Sequence, residues 1–264
     1  MSKISSKNIS EYKEDGATLI PGLFSDWVPT IKKGIKYNLK HPGEYAAENT
    51  KINQNGRFFD DYCNWERITE FKDIISCPEI IEAAATLMQS SKVQFFHDHV
   101  LFKSAGSETA TPWHQDEPYY FTKGDQTVSF WIPVDPVKEA SLRVIAGSHK
   151  WKKSVLPTKW LTGKDFYDAS TEYIPAPNPD KTPNKYNILE WDMNPGDAIA
   201  FNFKSVHGAR ENRSNIQRRV LSLRYVGDDV RYTQRKGETS PPFPGHNMND
   251  GEKLRADWFP IFEL

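Results

Sequence analysis

At Lys92 the chain changes its period. The segments "VQFFHDHVLFK" (93–103), "QTVSFWIPVD" (126–135), "LRVIAGSH" (142–149), "DAIAFNF" (197–203) and "RVLSLRYV" (219–226) are β-branched and aromatic runs. Joins containing Gly, Pro and Asn separate them, and "NPGD" (194–197) is a turn that feeds one of them. Several such runs without helices between them predict a sandwich or a rolled double sheet.

Residues 1–91 read as a mainly helical support. "SDWVPTIKKGIKYNLKH" (25–41) offers Ser25 as an N-cap and Ile31, Ile35 and Leu39 at helical spacing. "PEIIEAAATLMQSS" (78–91) opens with Pro78 at a first helical position, and "GATLIPGLF" (16–24) reads as a short strand and turn. Residues 92–229 read as the β core. Residues 151–187, proline-rich and aperiodic, read as a lid-like insertion in it, since structureless loops of this length are usually functional. Residues 230–264 read as an irregular tail. Nothing marks a boundary, so one domain over 1–264 is expected.

Hydrophobic residues make up 38% of the chain and aromatics 13%, with eight Trp, enough for a sizeable core. A formal net charge of -1 gives no electrostatic reason to expect nucleic acid or an anionic membrane as partner. The opening "MSKISSKNISEYKEDG" has no apolar h-region, and no apolar run is long enough to span a bilayer, so neither a secretory signal nor a membrane helix is expected. The two cysteines, Cys63 and Cys77, form no CxxC site or disulfide framework, which fits a reducing cytoplasm.

"TPWHQDEPYY" (111–120) sets His114 and Asp116 among Pro112, Trp113, Pro118, Tyr119 and Tyr120. On an extended chain, side chains two apart point the same way. Imidazole and carboxylate together suit Fe(II), Mn(II) or Zn(II), and a second His would complete a three-ligand face. The plainer alternative has His114 capping a turn and Asp116 solvated. Among the other histidines, His41 and His246 sit in polar, turn-like surroundings, and His149 follows a turn where structural hydrogen bonds suffice. His97 and His99 form an HxH pair on one strand face, a rival site. His207 sits at the end of the apolar strand 197–203, where it can be delivered inward. Arg218 and Arg219 enter an otherwise apolar run, and a buried arginine needs an anion. Strand period groups Arg218 with Val220 and Ser222, so an inward Arg218 can grip a carboxylate with two parallel hydrogen bonds.

The ordered set "TPWHQD", "FWIPVD", "LRVIAGSH", "PGDAIAFNFKSVHGARENRS" and "RRVLSLRYVGDD" resembles the phytanoyl-CoA dioxygenase family of Fe(II)/2-oxoglutarate oxygenases, from about Phe95 to Asp229. The resemblance implies a mainly β fold with flanking helices, a double-stranded β-helix (jelly roll, cupin-like). It implies Fe(II) as cofactor, held by His114, Asp116 and His207, with 2-oxoglutarate and dioxygen as cosubstrates. Arg218 becomes the partner of the distal 2-oxoglutarate carboxylate, Trp131 lies beside it, and Lys103 and His99 fall on the strand that adds polar contacts there. An aspartate at 116, where related halogenases carry a small residue, points to hydroxylation or a desaturating or ring-forming variant of it. Ala146 before Gly147, and "VKEASLR" in place of an Asn-Gly turn, depart from the family and suggest a branch away from the acyl-CoA enzymes. Lys152, Lys153, Lys159 and Lys164 are scattered and read as solvated charges rather than a CoA phosphate site. The expected partner is a small or medium-sized metabolite.

Two other classes compete: a jelly-roll binding module without chemistry, and a zinc hydrolase using the same three ligands. The intact set of His114, Asp116, His207 and Arg218 speaks against the first. The second gives Arg218 no purpose, and no HExxH-type base accompanies the pair. In the lid-like insertion, Trp160, Phe166, Tyr167 and Tyr173 are expected to wall an apolar pocket, beside Asp165 and Asp168 as readers of a polar substrate group.

Overall fold

A computed structural model describes residues 3–138, 141–168, 172–182 and 184–264. The "VKEASLR" turn and the 151–187 insertion therefore lie partly outside the described residues. In chain order the strands are β1 (Ala17–Ile20), β2 (Ala47–Glu48), β3 (Phe58–Tyr62), β4 (Lys92–Lys103), β5 (Thr111–His114), β6 (Thr122–Lys123), β7 (Thr127–Pro133) and β8 (Leu142–Ile145). They continue as β9 (Ser154–Val155), β10 (Tyr173–Ile174), β11 (Ile188–Glu190), β12 (Ala198–Phe201), β13 (His207–Ala209), β14 (Arg218–Val226), β15 (Arg231–Tyr232) and β16 (Ile261–Glu263). The helices are α1 (Ser6–Asp15), α2 (Val28–Lys40), α3 (Thr69–Ile75) and α4 (Pro78–Met88).

A large antiparallel sheet runs β1-β12-β7-β14-β4-β3-β2, with β16 added to the start of β4. A smaller antiparallel sheet runs β11-β8-β13-β5. The two sheets make the jelly roll. Each central strand of the large sheet is buried on both faces, so alternation sorts its side chains between two cores. Leu221, Leu223 and Tyr225 of β14, with Val128, Phe130 and Ile132 of β7, face the helices and meet Ile31, Ile35, Phe71 and Ile80. Val220 of β14 and Trp131 of β7 face the other way and pack with Leu142 and Val144 of the small sheet. Each such aliphatic or aromatic side chain contributes about 1.5–3 kcal/mol by leaving water.

One bulge sets what β4 offers to each core. Arg224 pairs with His97 and Tyr225 with Phe95, so Phe96 is the extra residue. Val93 and Phe95 thereby face the helices, while His97 and His99, of the same parity, line an interior cavity.

The first ninety residues are helical only in part, because β1, β2 and β3 all join the large sheet. Asp60 and Asp61 hide β3 in the sequence by breaking its apolar run, yet both are buried. Ser25 opens a 3-10 turn instead of capping a long helix, and α2 starts at Val28. Pro29 accounts for this, since it can sit only in the first turn of a helix. The tail is tied down at both ends, by β15 on β6 and β16 on β4.

Gly196 of the turn feeding β12 has φ of 89, and a Cβ there would lie 2.6 Å from the Ser25 Cα. Both facts require glycine. Gly196→Ala should cost about 1–3 kcal/mol from backbone strain alone, read as a lowered urea midpoint. An unchanged midpoint would contradict this placement of the turn against Ser25.

Candidate metal centre

His114 ends β5 and His207 opens β13, and the two are directly opposed in the antiparallel pairing of those strands. His207 does not end the apolar strand at 198–201. That strand belongs to the large sheet, and the chain turns through Asn202–Val206 before His207 enters the small one. Asp116 is not on a strand either. It has φ of -73 and ψ of -44 at the start of a 3-10 turn. The Asp116 and Glu117 amides both donate to the Phe203 carbonyl at 3.0 Å, which pins the turn to the loop preceding His207. Two loops from different sheets thus hold each other while the ligands converge.

The donor set is specific. His114 Nδ1 lies 2.8 Å from the Pro112 carbonyl, and His207 Nδ1 lies 2.9 Å from the Ser205 carbonyl. A carbonyl only accepts, so each Nδ1 carries a proton and each ring turns its Nε2 inward. These Nε2 atoms lie 3.5 and 3.7 Å from the same Asp116 oxygen, Oδ1. The three ligand atoms are all within 4.8 Å of one another, and all three residues are buried. Burial, then the neighbouring His114, push the His207 pKa down to about 3, so the ring is neutral at ordinary pH. Lone pairs facing a carboxylate repel unless a cation lies between them. The residues therefore fit a divalent metal, and two imidazoles with one carboxylate on one side match Fe(II), Mn(II) or Zn(II).

Arg224 fixes the remaining carboxylate oxygen. Its Nε and Nη2 both lie 3.2 Å from Asp116 Oδ2. Burial alone would raise the Asp116 pKa, but the Arg224 guanidinium beside it holds it well below the usual carboxylate range. Arg224 was visible in "RRVLSLRYV" as a third arginine of the same parity as Arg218. Sequence reasoning missed it because its partner lies far away in the chain.

The other expected residues separate. Arg218 is buried, its guanidinium 5.6 Å from the Trp131 ring centroid, with its pKa lowered to about 10 by burial. Arg219 instead forms a two-pronged pair with Asp135, at 2.9 and 2.6 Å. A narrow cavity of about 30 Å³ joins the ligand set to Arg218, and Trp131 and His99 also line it. Lys103 is fully buried and stands opposite Arg218 in the β14–β4 pairing, though it lines neither cavity. Its ammonium sits 4.4 Å from the Phe58 ring centroid and donates to the Arg210 carbonyl at 3.2 Å. Among the described residues, His97 and His99 join no metal-ligand group.

A second, wider cavity of about 190 Å³ opens on the other side of His114 and Asp116. Tyr62, Tyr119, Tyr120, Trp160 and Phe166 wall it, beside Asp60, His97, His99 and Arg224. Trp160 lies 5.0 Å, ring to ring, from His114. Tyr167 and Tyr173, expected in the same wall, line neither cavity and stack on each other instead. Asp165 and Asp168 are exposed and line neither cavity, so they are not placed to read a substrate there. No described helix is long and apolar enough to cross a membrane.

Two antiparallel sheets with a His-Asp-His set between them define the double-stranded β-helix class of metal-binding proteins. The family model described as Phytanoyl-CoA dioxygenase (PhyH) matches residues 12–220, and the chain belongs to that family. A Caenorhabditis elegans protein named as a probable phytanoyl-CoA dioxygenase is 26% identical over 197 residues, 68% of this chain and 54% of its own. The peroxisomal phytanoyl-CoA dioxygenase of Rattus norvegicus is 25% identical over 249 residues, 86% of this chain and 69% of its own. The chain thus spans about half the length of the first relative. Among solved structures, the non-heme alpha ketoglutarate dependent carbocyclase SnoK superposes with a TM-score of 0.74 at 18% identity, over 99% of this chain and 98% of that one. EctD from S. alaskensis, with 2-oxoglutarate and 5-hydroxyectoine, gives 0.68 at 18%, over 96% and 87%. At these identities the structural likenesses carry the fold.

Partners that orient metal ligands typically change affinity 10–100-fold when removed. Arg224→Met should weaken Fe(II) binding by about that factor in an anaerobic chelator competition, with Arg219→Met as the unaffected control. Equal loss in both variants would mean general destabilisation rather than a task for Arg224.

Proposed function

We propose that this chain is an Fe(II)- and 2-oxoglutarate-dependent oxygenase of one domain, acting on a small or medium-sized metabolite. The observation that carries the reading is the convergence of His114 Nε2, His207 Nε2 and Asp116 Oδ1, their outer atoms already tied down, in the same interior as Arg218. A zinc hydrolase would leave Arg218 without a purpose, and a silent binding module would leave the three converging acceptors without one. The bound iron, with 2-oxoglutarate and dioxygen, supplies oxidation of an unactivated C–H bond, with succinate and CO2 as by-products.

The protein's own residues supply geometry. Arg218 anchors the distal carboxylate, and Trp131 forms the wall beside it. Arg224 holds Asp116 so that one oxygen faces the metal. The aromatic walls of the wider cavity exclude water and seat the substrate. A reducing compartment, the cytoplasm first, suits Cys63 and Cys77, which are both free thiols.

The purified protein should convert 2-oxoglutarate to succinate slowly without prime substrate, and His114→Ala, Asp116→Ala and His207→Ala should each abolish this. Full activity in His207→Ala would sink the ligand choice. Losing a charge-assisted buried pair costs about 2–5 kcal/mol, so Arg218→Ala should weaken 2-oxoglutarate binding well over tenfold with iron binding nearly intact. The same loss in Arg219→Ala instead would move the anchor by one residue.

The insertion acts as a lid. The cavity between the ligand set and Arg218 holds about 30 Å³. That is room for a water or two and not for a dicarboxylate. Every residue lining it sits on a strand except Trp160. Trp160 also lines the wider cavity, so its withdrawal opens both. Mn(II) plus 2-oxoglutarate should change the tryptophan fluorescence of the wild type, and Trp160→Phe should lack that change. An identical change in both proteins would remove Trp160 from the path.

A further inference from the structure

The HxH pair of β4, freed from metal duty, stands in the wall of the wider cavity. His99 is buried, and its Nε2 lies 2.7 Å from Asp60 Oδ2. A carboxylate only accepts, so Nε2 carries the proton. The other Asp60 oxygen accepts from Asn49 Nδ2, which fixes the carboxylate plane. Asp60 takes up Nε2, and Nδ1, which has no hydrogen-bond partner among the described residues, is the ring atom left to meet a ligand. Trp160 stacks near the ring at 6.3 Å and Tyr62 meets it edge-on at 5.4 Å, so its orientation is held from two sides.

The surroundings decide what such an acceptor receives. An ammonium group would need a carboxylate with an open oxygen, and the cavity has none. Asp60 is taken by His99 and Asn49, and Asp116 by Arg224 and the two imidazoles facing it. An anionic oxygen would meet the Nδ1 lone pair and be repelled there, and of the two cations in the lining Arg224 is held by Asp116 and Lys159 is exposed to solvent. His97, the neighbouring imidazole, donates Nδ1–H to the Asp98 carbonyl at 3.1 Å, and burial followed by Arg224 keeps its pKa well below the ordinary value, so it adds no cation. About 190 Å³ between aromatic walls falls below the roughly 300–1,000 Å³ of sites for drug-sized ligands.

We propose that His99, oriented by Asp60, is the specificity-determining acceptor for a neutral, ring-sized substrate that presents an O–H or N–H donor beside the carbon to be oxidised. The Asp60 carboxylate sets the tautomer, the aromatic walls take the ring faces, and the donor registers the ring against the metal side of the cavity. This rests on the oxygenase reading only for which carbon reacts; the donor preference itself is a binding property. His99 then serves the substrate side of the junction rather than 2-oxoglutarate.

Three bicyclic probes of nearly equal size test this: indole, a donor without an acceptor; indene, with neither; and benzoxazole, an acceptor. Affinities are measured by ligand-observed NMR on the full chain, metal-free and again with Fe(II) and 2-oxoglutarate under argon. Wild type should bind indole several-fold to tenfold more tightly than indene, and benzoxazole worst. In Asp60→Asn the Asn49 contact holds Oδ1, so the new amide donates to His99 Nε2 and moves the ring proton to Nδ1. The order should then reverse, with benzoxazole above indole. His99→Phe should bind indole and indene alike. Wild type without a donor preference, no binding of any probe, or a preference that survives His99→Phe overturns the proposal. Loss of iron-dependent succinate formation with the donor preference intact in metal-free protein would instead sink the oxygenase reading and leave this one standing.

Discussion

The ion pair between Asp116 and Arg224 is the contact on which the site depends. Asp116 stands on the turn leaving the small sheet, and Arg224 stands in the middle of the large one. Both are buried, so the pair bridges the two sheets at the point where the ligands meet. Removing one partner of a buried pair typically costs about 3–5 kcal/mol, because the other charge is left behind. The pair also divides the labour of one carboxylate. Oδ2 is consumed by the guanidinium, and Oδ1 is left for the metal side. The Phe203 carbonyl, accepting from the Asp116 and Glu117 amides, ties the same turn to the loop before His207. Three ligands from two distant stretches of chain thus converge through backbone and side-chain contacts already made by the protein.

A second constraint is the bulge at Phe96. Strand alternation alone would give Phe95, His97 and His99 the same face. The extra residue lets Phe95 enter the helix-side core, against Tyr225 and Trp65, while His97 and His99 turn to the cavity. Phe96 itself moves into the aromatic cluster beneath the tail, beside Tyr120, Phe121 and Phe259. One inserted residue therefore both builds a core and aims the polar wall of the substrate cavity.

Much of this was legible in the sequence, for physical reasons that can be named. Period-two runs after Lys92 mark strands because sheet cores demand alternation or continuous apolarity, and all five runs became strands. The inward phase of Arg218 followed from that same period. What stayed hidden involves partners brought together only by the fold. Asp60 carries no signal in the sequence; its burial is matched by the His99 and Asn49 donors that only the fold brings to it. Lys103 is buried directly opposite Arg218 in the β14–β4 pairing, with its head held by the Phe58 ring and the Arg210 carbonyl, partners that the sequence could not name. Asp165 and Asp168 lie near Trp160 in sequence, but the fold leaves both exposed and outside either cavity lining.

The most direct test of this account is a crystal structure of the protein with Mn(II) and the cosubstrate analogue N-oxalylglycine, with the metal located by its anomalous signal. The account predicts one strong peak in contact with His114 Nε2, His207 Nε2 and Asp116 Oδ1, Arg224 still on Asp116 Oδ2, and the distal carboxylate of the analogue gripped by Arg218. A peak on His97 or His99, or an analogue bound with its distal carboxylate away from Arg218, would contradict it.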